Sequence, residues 1–443
     1  VGPGGRVFNQ CLAAADISRS TTFIPNVLDF MPDNLSTYFK QPKNKPAYIT
    51  EEATPHIERL VRELTASQAN VIVPLGEFPL QALTDKKNIG KMRGSVLPST
   101  TLFGRKILPS LQPATVVYGN FMARYHITRD FETARKQSLF PEIKLRPRNY
   151  IINPTSEQSL DYITDLHRKK IPVSFDIEVV GNEVDCISFA PSPDEAISIP
   201  VAHYSLSNQV ILWRAIAALL YDPDVIKIGQ NLIFDTQFLL AHNGIRTRGE
   251  IWDTMIGHHI LYPDFPKGLD FLVSYHCNGE PYYKDEGKTW RLKDFGYDWE
   301  QFWLYNAKDA ALTYEVWEEI KDEILLPEWR VAYDRATALF DPLNFAMLRG
   351  VKSEQEYLGQ MREKVERNIS EIQVKLDKIV GSHLNVKSSQ QCQAYFYGTL
   401  GNRAFTKYNK ETKTSSQTTD AKAMAKLAVG TKERPPIYEA ELV

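Results

Sequence analysis

The sequence is poor in cysteine and has no long apolar run. Its 443 residues include four scattered cysteines, Cys11, Cys186, Cys277 and Cys392. None forms a Cys-x-x-Cys pair, which argues against a zinc or iron–sulfur centre and indicates a reducing compartment. The longest apolar stretches, residues 71–75 and 211–220, are well short of the about 20 residues that cross a membrane. We therefore expect no membrane partner.

Net charge is also nearly absent, since 52 Lys and Arg face 54 Asp and Glu. A net charge of −2 gives no overall attraction to nucleic acid, so any polyanion must bind through a local basic groove or through metal ions. With 43% hydrophobic and 24% charged residues the composition is that of a globular protein, which excludes a mainly disordered chain, a collagen and a disulfide miniprotein. At about 150 residues per domain, the length predicts two to four domains.

The chain starts with Val1 and ends at residues 439–443 inside a predicted helix, so we expect a piece of a longer protein. Hydrophobic periodicity predicts an α/β region over 1–135, a proline-rich linker over 136–154, a second α/β region over 155–327 and a mostly helical region over 328–443. Strands are predicted at 71–75, 173–178, 184–189, 196–201 and 224–228. Helices are predicted at 55–64, 78–83, 209–221, 234–242, 252–261, 269–276 and 299–325, with a pair of long helices over 328–381 and a mobile loop over 406–420.

The sharpest chemical signal is the pair Asp176 and Glu178 at the end of a predicted strand. Residues two apart in a strand share one face. Two like charges on one face of a buried strand repel each other unless a cation lies between them. An Asp-x-Glu alone is weak, because a strand that runs into a solvated turn at Gly181 gives the same pattern.

Two further segments strengthen this signal. Asn231 and Asp235 follow a short predicted strand, which puts Asp235 in the first turn of a helix, where an acid also commonly serves the helix dipole. Tyr305 and Asp309 are four apart on a predicted helix and therefore share a face. An isolated Tyr and Asp pair of this kind is more often a core tyrosine beside an exposed acid.

Taken together, Asp-x-Glu, Asn-x3-Asp and Tyr-x3-Asp, in this order, resemble the 3′–5′ exonucleases that carry four acids and a tyrosine. The spacing is similar to that of the proofreading domain of family A, DNA polymerase I-like, DNA polymerases. The resemblance implies a ribonuclease H-like fold, with a mixed sheet and flanking helices, over 155–327.

The resemblance also implies two divalent ions, Mg²⁺ or Mn²⁺, which can lie about 3.5–4 Å apart and activate water and the leaving oxygen. It assigns Asp176 to both ions, with Glu178 and Asp309 completing the first. Asp235 holds the second largely through waters, and Tyr305 aims the attacking water. Asn231 is implied to position the second acid and the terminal nucleotide.

The flanking regions carry resemblances of their own. Residues 328–443 resemble the start of a polymerase region including the thumb, with Lys413 and Thr414 in the loop that contacts the primer–template backbone. Palm and fingers motifs are absent, so we expect DNA synthesis only from a full-length protein.

Residues 1–135 resemble, more weakly, a uracil-DNA glycosylase-like α/β domain, through Met92-Arg93-Gly94 among other segments. The first, water-positioning motif is missing, and the late His-Pro-Ser reads Leu108-Pro109-Ser110. We therefore expect an inactive scaffold that serves binding or docking, or a plain structural appendage.

The function predicted from sequence is a 3′–5′ proofreading exonuclease within a family A polymerase fragment, of a phage type. It would act on the single-stranded 3′ end of primer–template DNA with replication factors as partners, in the cytoplasm, or in the host cytoplasm if phage-encoded. Two alternatives stay open: a free-standing exonuclease on RNA or DNA, similar to ribonuclease D, and a non-catalytic DNA-binding module.

Overall fold

The computed structural model of the chain describes residues 2–40, 42, 47–292, 296–409, 414–430 and 436–443. It divides into two compact units. Among the described residues, the first unit comprises 2–40 and 47–349, and the second comprises residue 42 and 350–443.

The N-terminal part of the first unit packs helices around short strand pairs. Its helices are Pro3–Ala14, Thr54–Ala66, Glu77–Leu83, Ile89–Met92, Ala114–Val117 and Ala123–Gln137, and its two-residue strands pair as Phe39–Lys40 with Tyr48–Ile49 and Leu97–Pro98 with Lys106–Ile107. Short 3-10 turns lie at Arg19–Thr21, Leu35–Thr37 and Glu51–Ala53. The strand predicted at 71–75 is wrong as a regular element, because only isolated bridges, Ile72 to Ile107 and Leu75 to Ser110, form there.

A sheet of six strands organises the next part of the chain. In spatial order the strands are Ile251–Asp253, Lys227–Gly229, Val173–Val180, Glu183–Ser192, Glu195–Ile199 and Asn149–Ile151. Val173–Val180, Glu183–Ser192 and Glu195–Ile199 pair antiparallel, each with the next. The remaining three strands join the sheet in parallel pairs. The predicted ribonuclease H-like mixed sheet is confirmed. Its edge strand Asn149–Ile151 falls within the stretch predicted to be a linker.

The central strand Val173–Val180 separates apolar and acidic side chains. Phe175 and Ile177 are buried in the main core with the helices Ser156–Lys169 and Leu206–Tyr221. Because strand side chains alternate, Asp176 and Glu178 point to the opposite face, towards the long helix Trp299–Ile324. A cluster of small side chains lies between sheet and helix there: Ala190, Ala196, Ala307, Ala310 and Ala311. The helix therefore lies close to the acids.

Shorter helices complete this region. They are Leu232–Asn243, Thr254–Leu261, Leu269–His276 and Glu286–Thr289, with a 3-10 turn at Val201–His203 and a small strand pair, Arg291–Leu292 with Gly296–Tyr297. The helix predicted over 252–261 is partly wrong. Trp252 belongs to the edge strand Ile251–Asp253, which pairs with Lys227–Gly229, and Asp253 then caps the helix.

A cluster of buried rings connects the N-terminal part to this region. His126 contacts the rings of Phe265 and Phe271, and His258 Nδ1 lies 3.0 Å from His276 Nε2. Burial lowers the pKa of His126 and of His258 to about 4, and that of His276 to about 3. These rings are therefore neutral in the folded protein, whereas they gain a proton below about pH 6.5 in the unfolded chain.

We expect acid to destabilise the first unit through these rings. A histidine with a lowered folded pKa contributes stability above the unfolded pKa, which is lost as pH falls from about 6.5 towards 4. As pH falls over this range, the His126→Phe variant should lose about 3 kcal/mol less unfolding free energy than the parent chain. The His259→Phe variant, which replaces an exposed histidine, should lose as much as the parent chain. Calorimetric unfolding between pH 7.5 and 4.5 measures it. An equal fall in unfolding free energy in the two variants would contradict this expectation.

The last helices of the first unit are Pro327–Thr337 and Phe340–Arg349. In the second unit, a long helix, Gln355–Val380, ends at Gly381, whose φ of +80° suits glycine. Helical turns Ser389–Gln393 and Ala394–Thr399, a hairpin of Thr406–Asn409 with Thr414–Gln417, and helices Ala421–Val429 and Tyr438–Glu441 follow.

Two predictions for the chain beyond residue 327 are wrong in detail. The pair of long helices over 328–381 consists of two short helices and one long one, because Gly350 interrupts the pattern at a φ of +65°. The segment predicted to be a mobile loop over 406–420 contains a hairpin. In the described parts of the chain, no helix combines the length and the hydropathy that crossing a membrane demands.

Candidate active site

The strand Val173–Val180 places Asp176 and Glu178 on the face next to the long helix. Both lie opposite the neighbouring strand, Asp176 across from Ser188 and Glu178 across from Cys186, and the pairing becomes irregular directly after Glu178. Such an irregularity bends a strand and re-aims its side chains. The two acids are therefore fixed by a well-paired strand and face inward, not into the turn at Gly181.

The long helix adds Asp309, four residues after Tyr305. Asp309 is 4% exposed, and its carboxylate joins those of Asp176 and Glu178 in a group whose ligand oxygens all lie within 4.8 Å of one another. The structure thus brings together three acids that are separated by up to 133 positions in the sequence.

The fourth predicted acid lies directly beside this group. Asp235 is buried in the first turn of Leu232–Asn243, and its Oδ1 accepts a hydrogen bond of 3.0 Å from the backbone N–H of Ile177. Asp235 is therefore adjacent to Asp176, but outside the tight group of three.

The start of that helix is held by a buried carboxylate. Asn231 precedes the helix at a φ of +61°, with an exposed side chain. Asp253 accepts hydrogen bonds from the backbone N–H groups of Asn231 and Leu232, and also from Met255 and Ile256 in the next helix. One carboxylate thereby aligns two helices and sets the position of Asp235.

Three residues that the sequence did not single out contact the acids. Asn306 Nδ2 donates a 2.8 Å hydrogen bond to Asp176 Oδ2, and its own carbonyl groups accept from Ser188 and Ser198 at 2.9 Å each. Tyr283 Oη donates to Asp309 Oδ1 at 2.5 Å. Lys284 Nζ donates to Asp309 Oδ2 at 2.5 Å and to Tyr305 Oη at 2.9 Å.

Burial and mutual repulsion dominate the electrostatics of the site. Burial, and then the nearby Asp309, raise the pKa of Asp176 to about 7. The pKa values of Glu178 and Asp235 are raised well above normal, first by burial and then by the charge of Asp176. Burial, and then Asp309, also raise the pKa of Tyr305, which therefore stays protonated. The ionised acids need a cation beside them.

These residues fit a divalent metal ion. Every donor in the group of three is a carboxylate oxygen, the ligand that hard cations such as Mg²⁺ and Mn²⁺ prefer. Burial first, and then the neighbouring acids, raise the pKa values of Asp176 and Glu178, so the ionised carboxylates would be stabilised by a cation between them. Lys284 supplies one positive charge, which forms an ion pair with Asp309 and also lowers the pKa of Asp176 and Glu178 against the larger effect of burial.

Lys284 is expected to compete with metal binding at Asp309. Because removal of an ammonium in contact with a metal ligand relieves repulsion, Lys284→Met should tighten Mn²⁺ binding by about threefold to tenfold. Electron spin resonance of free Mn²⁺ in a titration measures this without any nuclease assay. The control is Lys321→Met, since Lys321 lies over the Trp317 ring at 4.6 Å and away from the acids. Unchanged or weaker binding in Lys284→Met would contradict the expectation.

The other residues that the sequence analysis singled out are not part of this group of acids or lie outside the described residues. Lys413 lies outside the described residues, and Thr414 begins the second strand of the hairpin in the second unit. In the N-terminal part, Leu108 is fully buried, and Ser110 Oγ donates a 2.6 Å hydrogen bond to the buried Asp130.

Comparison with known families matches two parts of the chain. Residues 150–325 match the family described as 3′–5′ exonuclease, in the form found in family A DNA polymerases. Residues 1–136 match the uracil DNA glycosylase superfamily. The first match contains every acid of the site, and the second covers the N-terminal helices and short strands.

Individual relatives agree with these matches. DNA polymerase I of Chloroflexus aurantiacus is 28% identical over 235 residues, 51% of this chain and 24% of that protein. DNA polymerase I of Pseudomonas aeruginosa is 27% identical over 284 residues, 60% of this chain and 30% of that protein. The chain thus spans less than a third of either relative.

Solved structures overlap only loosely. The POL domain of Pol1 from M. smegmatis, in complex with DNA primer-template and dNTP, shares 16% identity and a TM-score of 0.44, covering 67% of this chain and 47% of that one. An overlap this loose adds nothing to the family matches.

Proposed function

We propose a proofreading exonuclease, because residues 150–325 match the 3′–5′ exonuclease domains of family A DNA polymerases. Residues 1–136 match the uracil DNA glycosylase superfamily. The exonuclease removes nucleotides one at a time from the 3′ end of a DNA strand by metal-dependent hydrolysis of the terminal phosphodiester. DNA synthesis belongs to a longer form of the protein.

One observation carries this proposal: the ligand oxygens of Asp176, Glu178 and Asp309 lie within 4.8 Å of one another, beside the buried Asp235. A buried set of like charges is costly for stability, so a fold that keeps it gains a function from it. Two Mg²⁺ or Mn²⁺ ions at such a site supply a hydroxide near neutral pH and stabilise the leaving oxygen.

Each side chain then has a task that follows from its position. Asp176, Glu178 and Asp309 would hold one ion, and Asp235, which accepts from the Ile177 N–H, would hold a second together with Asp176. Asn306 holds the Asp176 carboxylate in one orientation. Tyr305, protonated and next to Asp309, donates its hydroxyl to position the attacking water.

The substrate is an unpaired 3′ end. Asn231 and Phe234 lie at the start of the helix that carries Asp235, and both side chains are exposed, Phe234 by 48%. An exposed aromatic ring stacks on a base, and an amide bonds sugar or phosphate oxygens, which gives grip without sequence choice. Trp252 is not exposed enough to stack on a base, because that ring is 4% exposed and packs against Trp317 and Tyr333.

The flanking regions bind and do not catalyse. The second unit, including Lys413 and Thr414, contacts the phosphates of the primer–template. The N-terminal part lacks glycosylase activity, because Leu108 is buried and Ser110 is committed to Asp130. We place the protein in the cytoplasm, in a phage host if phage-encoded, with replication factors as partners.

A labelled strand tests the function. A 5′-labelled single-stranded DNA incubated with the chain and Mg²⁺ should give a ladder that shortens from its 3′ end, and EDTA should stop it. An RNA strand of the same sequence should be cut more slowly. A strand shortened from its 5′ end, cuts at internal positions, or no cleavage at all would refute the proposal. Faster cleavage of the RNA would favour the ribonuclease-like alternative.

A further inference from the structure

We propose that the N-terminal glycosylase-like part positions the exonuclease site, by holding residues 279–286 so that Tyr283 and Lys284 reach Asp309. We call residues 279–286 the bridging segment. The inference rests on the proposed exonuclease function and assigns a role to a domain whose own catalytic groups are missing.

Contacts from the N-terminal part reach the bridging segment at its beginning, middle and end. The backbone N–H of Val96 donates to the carbonyl of Gly279 at 2.8 Å. Ser95 Oγ accepts from the backbone N–H of Tyr282 at 3.1 Å. Lys91 Nζ donates to both carboxylate oxygens of Asp285 at 2.8 Å. Three independent hydrogen-bonding contacts over seven residues fix both the place and the direction of the segment.

Glycines permit the N-terminal part and residues 274–279 of the chain to approach each other this closely. Gly279 has a φ of +84°, and a Cβ there would collide with the side chain of Val96. Gly94 has a φ of +77°, and a Cβ there would lie 2.7 Å from the carbonyl oxygen of Ser274. Larger residues at either position would force the backbones apart. The contact is therefore specified by the sequence on both sides.

A buried polar network supports the residues that hold the segment. Arg93 forms an ion pair with Asp130, with side chains 4% and 0% exposed, and Arg93 Nη1 donates to Ser274 Oγ at 3.0 Å. Ser110 Oγ completes the partners of Asp130. A buried ion pair is tolerated when its remaining polar atoms are satisfied, and it then favours one geometry over others. Lys91 and Ser95 lie two residues before and after Arg93, so the buried ion pair also restricts their positions.

The bridging segment contacts the N-terminal part on one side and the acids of the site on the other. Tyr282 and Asp285 face the N-terminal part, while Tyr283 and Lys284, between them, face the acids. Lys284 joins Asp309 to Tyr305, so it sets the distance between a metal ligand and the group that positions water. A displacement of about 1 Å in such a group can cost about 10²-fold in rate.

The test uses the full chain with Lys91→Met, Ser95→Ala and the double variant. Lys91 has a side chain that is 35% exposed, so methionine fits without an internal cavity. In the double variant we expect amide hydrogen exchange at residues 279–286 to rise about tenfold. The kcat for 3′-nucleotide release should fall about tenfold with KM within about twofold. Mn²⁺ should bind more tightly, because Lys284 is no longer held at Asp309.

Two variants separate positioning from general damage. Lys91→Arg keeps a cation beside Asp285 and should restore most of the kcat. Lys86→Met removes a nearby lysine whose ammonium lies 3.7 Å from Asp85, and it should match the parent chain in all three measurements.

The possible outcomes are distinct. If the parent chain has no nuclease activity, the proposed function is refuted. Amide hydrogen exchange and Mn²⁺ affinity then test the positioning role on their own. If the parent chain is active, an unchanged kcat in the double variant overturns the inference, whether or not exchange rises. Unchanged exchange with unchanged Mn²⁺ binding overturns it in either case.

Discussion

Replacing Asp176 with alanine is expected to lower Mg²⁺-dependent release of 3′-terminal nucleotides by at least about 10⁴-fold. Asp176 is grouped with Glu178 and Asp309 and also lies near Asp235, so it is the acid that would contact both proposed ions. Its loss would remove a ligand from each ion, whereas the loss of any other acid would affect one. Initial rates on 5′-labelled single-stranded DNA measure the effect.

Two controls make the Asp176 result interpretable. Asp165→Ala removes an acid that pairs with Lys169 on the surface of the helix Ser156–Lys169, and it should retain full activity. Asp176→Asn preserves shape and the hydrogen bond from Asn306 but removes the charge, and it should be as inactive as the alanine variant. Release within tenfold of the parent rate in either Asp176 variant would exclude this acid from the chemistry.

Replacing Tyr305 with phenylalanine is expected to slow the same reaction by roughly 10²–10⁴-fold, the usual scale for a group that handles or positions a proton. The ring remains in place, so packing between the long helix and the bridging segment should be preserved. The hydroxyl that accepts from Lys284 and faces Asp309 is lost.

The two variants should differ in metal binding as well as in rate. Tyr305→Phe should bind Mn²⁺ with nearly parental affinity, because it removes no carboxylate, while Asp176→Ala should bind it much more weakly. A Tyr305→Phe chain with parental kcat would remove the hydroxyl from the mechanism. A Tyr305→Phe chain with strongly weakened Mn²⁺ binding would assign it to metal binding instead.

Much of the exonuclease fold follows from local patterns. The helix predicted at 269–276 has the same bounds in the structure, and the strand that carries Asp176 and the helix that carries Asp309 were both anticipated. Segments whose apolar residues repeat with a clear period, bounded by glycine or proline, leave few alternatives. Trp252 was misassigned because a three-residue strand is too short to show a period before the helix begins.

Elements without an apolar pattern were harder to predict. The strands Thr406–Asn409 and Thr414–Gln417 consist mostly of polar residues, whose pairing depends on partners and not on burial. The bridges at Ile72 and Leu75 form against residues more than 30 positions away. Such long-range pairing leaves no local signal.

The sequence predicted the acids that lie together in the structure, but not the residues that contact them. Asp176, Glu178, Asp235 and Asp309 are marked by spacing, since acids on apolar strands and helices are unusual. Lys284 and Tyr283 lie in a polar, aromatic stretch about 25 positions before Asp309, and only the tertiary fold brings them to it. Their one sequence signal is the run of Tyr, Tyr and Lys in an irregular segment between two helices.

The central claim is that these acids form one metal-binding cage. The most direct measurement is anomalous diffraction at the manganese edge from crystals of the chain soaked in Mn²⁺. We expect two peaks, one in contact with Asp176, Glu178 and Asp309, and a second on the side of Asp176 that faces Asp235. Density elsewhere on the chain, with none between these carboxylates, would contradict the proposal that they act together on a phosphodiester.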